Sequence, residues 1–554
     1  MRVQIHSTAT FLRAHSPSSL FCLAILSLPG CGQGSAGTVD AGGGNGTLDG
    51  MAGGGGGQTA DSGGGMSDDV GTQQDAGSSP DTGGSPSDAA TAGDSIAPAA
   101  DGGFVPPTGM PATVLLDAAE LSMVRQQLAA NGGGSDAQRA AFQNLIAAAN
   151  DALTAGTWTV TSKAAAYVAN GDPHAYVSWG PYWWPPDASP PGALGTTSKC
   201  PYVQHDGIHN PTIDMISDRH GLHASTEAIF ELALAWFFTG KTAYADQAEL
   251  VARTWYLNAA TAMAPNMAYA QTHGPCGAGN AAGLIEASGG YITDALDGLA
   301  ILALDTRPNG WTSADQMGTQ SWMKQFLGWL QSSALAQGEN AALNNHGSWY
   351  DALVSSLMLF TGDTTGAAGI ANGAKTKRID KQIDATGGQA QELARTTSWH
   401  YSNYNVAALC RLAGVAKHVG VDLWGYASPS GGSIAKAIDF LIPTATTGKP
   451  PGPWAMYNDI TMPFDSAYQA EAFYSVHAAA QFANDTTAQA VFAASPVAIQ
   501  VPGHFCAGNR FPTGSDFCGI TPGAEPASFV DLQSAGTPAI DMWPLIGTCR
   551  VPID

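Results

Sequence analysis

The sequence predicts an all-α protein, an (α/α) toroid or incomplete barrel of helical hairpins carried behind a disordered tether. Three observations lead there. From residue 111 onward, apolar side chains recur at three- and four-residue intervals in window after window, the period of a helix with a buried face. Few windows alternate strictly, as half-buried strands do. One unit also occurs twice: an apolar helix, a Thr-Gly turn with a polar residue after it, and a second Ala-rich helix. It spans Glu231 to Trp255 around Thr239-Gly240-Lys241, and Leu353 to Ile379 around Thr361-Gly362-Asp363. The glycine fits a left-handed helix C-cap, and hairpins repeated in this way stack into an array. Long aromatic, Gly- and Pro-rich connections between the hairpins favour a closed ring with a cleft over an undecorated solenoid.

Residues 1–30 read as an export signal. Arg2 and Arg13 precede a short apolar run, Leu20 to Leu28, and Leu28-Pro29-Gly30 leads into Cys31. The run is too short to span a bilayer, and the pattern resembles a bacterial lipoprotein signal with Cys31 as the lipidated first residue. An ordinary secretory signal is the alternative, and both readings export the chain. Residues 31–110 then form the tether: Gly32 to Met110 holds ten Asp, no Lys or Arg, and long Gly, Ala and Ser runs. Such a stretch cannot bury enough apolar surface to offset about 1 to 2 kcal/mol of backbone entropy per residue.

The folded part therefore starts near Pro111, with residues 111–442 as the toroid. Helical windows fall at Asp117 to Asn131, Asp136 to Thr154, Ala224 to Phe238, Ala243 to Leu257, Asp315 to Ala334, Tyr350 to Phe360, Tyr404 to Val419 and Ser466 to Ala483. From Pro443 the composition shifts to Pro, Gly, Cys and Trp. Residues 443–554 are expected to be a final helix and a cysteine-containing tail packed on the same domain. The folded part has 20 basic and 35 acidic residues, a balance that argues against nucleic acid but leaves room for a locally basic cleft. In an oxidising compartment Cys200, Cys276, Cys410, Cys506, Cys518 and Cys549 are expected to be paired, and the short separation around a Gly- and Pro-rich turn makes Cys506–Cys518 the first expected pair. No short metal-ligand spacing such as Cys-x-x-Cys occurs, so no metal or other cofactor is expected. A monomer is expected.

Three clusters can carry chemistry. The first runs from Asp172 through Tyr182-Trp183-Trp184 to Tyr202, His205, Asp206, His209 and Asn210. Three consecutive rings cannot all face inward, and sugars pack their C–H faces on such aromatics; a satellite core under a loop is the alternative. The second is Asn344-Asn345-His346-Gly347-Ser348, short polar donors at a helix start, suited to gripping an anion. The third runs from Glu392 through Arg395 to Trp399, His400, Tyr401, Asn403 and Asn405. If helical, it places Arg395 and Trp399 on one face, and a neighbouring cation can lower a phenol's pKa from about 10. A surface ion pair of Arg395 with Glu392 and a core tyrosine is the alternative.

Taken together and in this chain order, the Tyr-Trp-Trp-Pro segment, the Asn-Asn-His-Gly motif and the Arg-x5-Tyr block resemble the alginate lyase-type polysaccharide lyases with a helical toroid fold, over roughly Val160 to Leu412. The resemblance implies a catalytic set of Asn345, His346, Arg395 and Tyr401. It also implies substrate contacts at Tyr182, Trp183, Trp184, His205, Gln271, Trp399, His400 and Asn403. Gln271 and Gly283-Leu284-Ile285-Glu286 match the family pattern, but where members often have Gly-Arg this chain reads Gly279-Asn280. The implied activity is β-elimination on a 4-linked uronic acid polymer, alginate first among them, by a protein lipid-anchored at the bacterial surface or outer membrane. Two other classes compete. A helical-toroid glycoside hydrolase needs two carboxyl groups about 5 to 9.5 Å apart, for which Asp206, Asp214 and Glu286 are available. A tethered sugar-binding lipoprotein needs the aromatics but neither Arg395 nor Tyr401.

Overall fold

The computed structural model describes residues 104–447, apart from 131–132, 187–199, 209, 211–212, 214, 278 and 289–290, together with 472–494, 501–502 and 538–539. Its longer helices are, in chain order, α1 (Ala118–Ala129), α2 (Asp136–Thr154), α3 (Asp218–Thr239), α4 (Thr242–Ala252), α5 (Tyr291–Leu302), α6 (Ser313–Ser332) and α7 (Ala334–Ala341). They continue with α8 (Asn345–Phe360), α9 (Thr364–Ala374), α10 (Ser398–His418), α11 (Ile434–Thr447), α12 (Ala472–Phe482) and α13 (Thr486–Ala494). Caps set several starts. The Asp117 carboxylate accepts from the amides of Ala119 and Glu120, while Ser135 with Gln138 and Thr312 with Asp315 form capping boxes.

Both predicted hairpins are present. Between α3 and α4, Gly240 sits at φ +74° and donates its amide to the Trp236 carbonyl, the left-handed cap that side chains with a Cβ resist. Between α8 and α9 the chain turns at Thr361 and Gly362, and Asp363 caps the Gly366 amide. The repeat extends further than its sequence signature. Both second helices end in a π turn, Arg253–Leu257 and Lys375–Ile379, and each turn sends out an arginine. Arg253 reaches Asp315 and the Gly310 carbonyl; Arg378 reaches Asp351 and the carbonyls of Asn340 and Ala342.

The helices form two layers, with the hydrophobic core between them. Helix α3 packs on α2, α4 and α5; α8 packs on α6, α9 and α10; α10 packs on α11 and α12. The inner helices α3, α5, α8 and α10 are buried on nearly every face, and every residue from Ser398 to Ala416 is inside. The windows had read as amphipathic, with one face left for water. Ring closure instead covers that face, and several of its small polar residues bond internally: Thr226 donates to the Leu222 carbonyl, Ser355 to the Asp351 carbonyl, and Asn405 to Gln382 and Gln389. Helix α5, which no predicted window covered, belongs to this inner set. Helix α11 runs through Pro443, the position of the composition shift.

Among the described residues, three two-stranded pairs accompany the helices. Strand β1 (Val177–Trp179) runs parallel to β4 (Tyr269–Thr272), β2 (Trp183–Trp184) is antiparallel to β3 (Val203–Gln204), and β5 (Val501–Pro502) is antiparallel to β6 (Pro538–Ala539). The first two pairs draw the aromatic segment beside the start of α3. Near the N-terminal side, the buried Asp297 carboxylate of α5 accepts from the amides of Val114, Leu115 and Leu116. Burial pushes its pKa up to about 7 against those hydrogen bonds.

Cysteine pairing follows expectation at one pair and departs from it at one residue. Cys200 bonds to Cys276, 76 residues away, whereas Cys410, expected to be oxidised, is a free thiol buried in α10. Among the described residues, no second cysteine pairs with it on this inner helix, which is packed on all sides. Cys506, Cys518 and Cys549 lie outside the described residues, as does Cys31.

Gly347 shows how tightly the start of α8 is made. A Cβ there would lie 2.1 Å from Arg378 Nη1 and 2.2 Å from the Ala342 carbonyl oxygen, and Arg378 is completely buried. The guanidinium thus clamps the strand of chain that leads into His346, and only glycine leaves room for it. Gly347→Ala is expected to cost about 1 to 3 kcal/mol, as overpacking does, read as a shift in the denaturant midpoint. An unchanged midpoint would show that the clamp relaxes freely.

Candidate active site

A cleft of about 710 Å³ opens where the β2–β3 hairpin, the start of α3, the loop after β4 and the N-terminal ends of α8 and α10 meet. Tyr182, Trp183, His346, Arg395, His400 and Tyr401, drawn from all three sequence clusters, line it together with Gln271. These residues are up to 219 positions apart. Their assembly is the work of the ring.

Arg395 is the centre of the polar wall. It lies in the bend between the short helix Ala390–Leu393 and α10, not on one helix with Trp399 as the spacing had suggested. Helix α10 starts only at Ser398, so Trp399 turns into the core, fully buried, while Arg395 faces the cleft. The Arg395 guanidinium grips Asp206 through Nε and Nη2, and Thr396 donates to the same carboxylate. Its carbon lies 3.5 Å from the centroid of the Tyr401 ring. Burial pushes Asp206 up, but the hydrogen bonds and charge of Arg395 outweigh it and hold this carboxyl below its ordinary value.

Tyr401 hydrogen-bonds through its hydroxyl to that of Tyr182 at 2.7 Å. Burial pushes the Tyr401 phenol up to about 12, against the opposing effects of Arg395 and the Tyr182 hydrogen bond. The sequence argument expected Arg395 to lower this pKa. The cation does act in that direction, yet desolvation of a phenol closed into the cleft wall is the larger effect.

His346, in the first turn of α8, bonds through Nδ1 to the buried Glu339 of α7 at 2.7 Å. A carboxylate can only accept, so Nδ1 donates and Nε2 remains for the cleft. Asn344, the residue before the helix, lines the cleft beside it. Asn345 does not: it is completely buried, with its backbone amide and Nδ2 both donating to Glu392 at 2.6 and 2.7 Å. The first residue of a helix that packs all round faces inward, and a buried carboxylate there holds it.

The aromatic run divides as three consecutive rings must. Tyr182 and Trp183 line the cleft, and Trp183 stacks on His273 with centroids 3.4 Å apart. Trp184, on the other face of the strand, is fully buried and donates Nε1 to the Ile208 carbonyl. His205 lies edge-on to Trp184, behind the lining. Asn403, one turn along α10, is buried and donates to the Trp399 carbonyl. Gln271 takes a left-handed backbone, φ +45°, held by Ser178 on its amide and Asn280 on its carbonyl, a strained conformation of the kind that accompanies binding sites. Asn280 occupies the place of the expected cation. The Cys200–Cys276 bond staples the end of the hairpin to the loop that carries His273.

The sequence pattern of the alginate lyase family matches residues 159–451. The chain belongs to the alginate lyase family and is a polysaccharide lyase. Among solved structures of this family, an alginate lyase from Bacteroides ovatus is 29% identical over 69% of this chain and 95% of its own, with a TM-score of 0.62. Alginate lyase A1-III from Sphingomonas species A1 is 17% identical over 62% of this chain and 80% of its own, with a TM-score of 0.37. A variant of the latter complexed with tetrasaccharide is 16% identical over 67% and 88%, with a TM-score of 0.39. No curated protein matches the chain. The family's helical toroid is the architecture described above.

Residues that the motifs did not single out complete the cleft's polar frame. Glu339 stands seven positions before His346, across a helix end, and no local spacing announces it. Glu392 and Asp206 stood in the third and first clusters without this role in view, and each holds a cleft residue or its neighbour. Arg219 carried no signal beyond its place soon after the aromatic run, and His273 none beyond its place two residues after Gln271. The division of the tryptophans gives a direct test. Trp184→Ala should lose about 3 to 5 kcal/mol of stability, the cost of a large aromatic cavity. Trp183→Ala should leave the melting temperature nearly unchanged and weaken saccharide binding. Equal melting losses in both would mean that Trp183 is core as well.

Proposed function

We propose that this lyase cleaves 4-linked uronic acid polymers, alginate among them, by β-elimination. The observation that supports it is the meeting of a phenol stacked on a guanidinium with a carboxylate-oriented imidazole in one cleft. The C5 hydrogen of a uronate is weakly acidic because the adjacent carboxylate is already negative. Donors fixed at that carboxylate stabilise the enolate-like intermediate as an oxyanion hole does. Asn344 at the α8 N-terminus would supply such a donor, and His346 would supply one from Nε2 only as an imidazolium, with Asn345 and Glu392 holding the turn behind them. A base then takes the C5 proton, the C4–O bond breaks as the C4=C5 double bond forms, and the leaving oxygen accepts a proton.

Tyr401 can do both proton transfers on one face, because it lines the cleft against Arg395 and its hydroxyl is hydrogen-bonded to Tyr182. For the C5 epimer that presents its hydrogen on the other side, His346 Nε2 is the base and Tyr401 the acid. A hydrolase reading has less support: Asp206 is held ionised by Arg395, Glu286 receives hydrogen bonds from Tyr176 and Ser178, and Asp214 lies outside the described residues. A bare binding protein has no use for the Arg395–Tyr401 stack.

Tyr401→Phe keeps the ring over Arg395 and removes only the hydroxyl. Turnover, followed as ultraviolet absorbance of the unsaturated uronate, should fall by about 10² to 10⁴ while saccharide binding persists. On the epimer that Tyr401 deprotonates, kcat/KM should rise with pH from neutral toward the alkaline limit of the fold, since a phenol raised to about 12 is mostly protonated at pH 7. Near wild-type turnover in Tyr401→Phe would remove the mechanism, and release of saturated ends alone would restore the hydrolase.

The chain is further proposed to work at the bacterial surface or outer membrane, anchored by lipid on Cys31, with Leu28-Pro29-Gly30 before that residue as support. Intact mass of membrane-extracted protein should show acyl chains on Cys31, and a soluble mature chain beginning elsewhere would contradict it.

A further inference from the structure

Resting on the lyase reading, we infer that Arg219 is a second carboxylate-binding cation of the cleft, pairing with a uronate unit adjacent to the one cleaved. The folded part of the chain carries 20 basic against 35 acidic residues, so a polyanion is held here only by local positive charge. Among the described residues, two guanidinium groups line the cleft, those of Arg395 and Arg219. Arg395 has two nitrogens on Asp206 and a phenol ring across its face. It serves the reacting centre.

Arg219 enters from another wall, the first turn of α3, beside Gln271, Asn280 and Glu286. Its side chain is 15% exposed, and Glu286 Oε1 stands 4.0 Å from its Nε. The other Glu286 oxygen accepts from Tyr176 at 2.7 Å and Ser178 at 2.6 Å, which fixes the carboxyl behind the guanidinium. Burial raises the Glu286 pKa, the direction that lessens its competition with a bound carboxylate. Asp218, the neighbouring acid, is turned away to Lys163 at 3.0 Å and the Val177 amide. A guanidinium that shares the cleft lining with Gln271 and Asn280 presents a planar donor set suited to a sugar carboxylate. Asn280 by itself cannot supply charge there, and its Nδ2 already holds the Gln271 carbonyl.

The test is the kinetics of the full chain on alginate oligomers, followed by absorbance of the unsaturated product. Arg219→Gln should raise KM about tenfold or more, the loss expected for a charge-assisted hydrogen bond, and lower kcat by less. Arg219→Lys, which keeps the charge but not the fork, should raise KM by about threefold or more. The KM of Arg219→Gln should also depend less steeply on salt than that of the wild type. A KM within twofold of wild type in Arg219→Gln overturns the inference. Should that variant not fold by circular dichroism, the same result in Arg219→Lys overturns it. A wild type that forms no unsaturated product defeats the lyase reading alone; calorimetric binding of a saturated oligouronate to wild type and Arg219→Lys then decides Arg219 separately, equal affinity counting against it.

Discussion

The ion pair between Arg395 and Asp206 ties the cleft together. Asp206 belongs to the hairpin segment that carries the aromatic wall, and Arg395 to the bend that launches the inner helix α10. Their contact joins parts of the chain 189 residues apart and places a cation face-on to Tyr401. Had Asp206 not been there, burying the arginine would leave its charge uncompensated, a costly state in a closed cleft. With it, the guanidinium stays charged, oriented and half-neutralised, close enough to favour a phenolate yet too compensated to overcome desolvation. Each property of Tyr401 described above follows from that balance.

Acidic residues take a wider part than their charge suggests. Glu339 orients His346, Glu392 holds Asn345, and Asp351 steadies Arg378, which clamps the approach to His346. All three carboxylates are buried. A net-acidic domain can therefore present donors to an acidic polymer, because many of its carboxylates point away from the cleft and into the frame that holds the donors still.

Helix type and the two hairpins were legible because 3.6-residue periodicity and a Gly C-cap are local properties. The inner helices were harder. Nothing within α10 says that both its faces will be covered, since that depends on neighbours far along the chain, and so Trp399 and Asn403 read as exposed candidates when they are core. Asn345 misled for the same reason, while Asn344 beside it faces the cleft. The aromatic triplet was legible as a divided run but not as to which ring goes inward, a matter of strand phase. Position along the chain could propose Tyr401 beside Arg395; only burial could fix the direction of its pKa.

Asp297 holds the backbone of residues 114–116 by three successive amides, from the middle of the inner helix α5. The chain before it is fastened again where Trp236 of α3 donates to the Val105 carbonyl and Arg125 of α1 to that of Pro107. None of these anchoring residues lines the cleft. A mechanical load arriving along the N-terminal strand would therefore enter the ring through the bodies of α1, α3 and α5, and shear or drag on the polymer-bound protein would be borne by the scaffold before it reached the geometry of Tyr401 and His346.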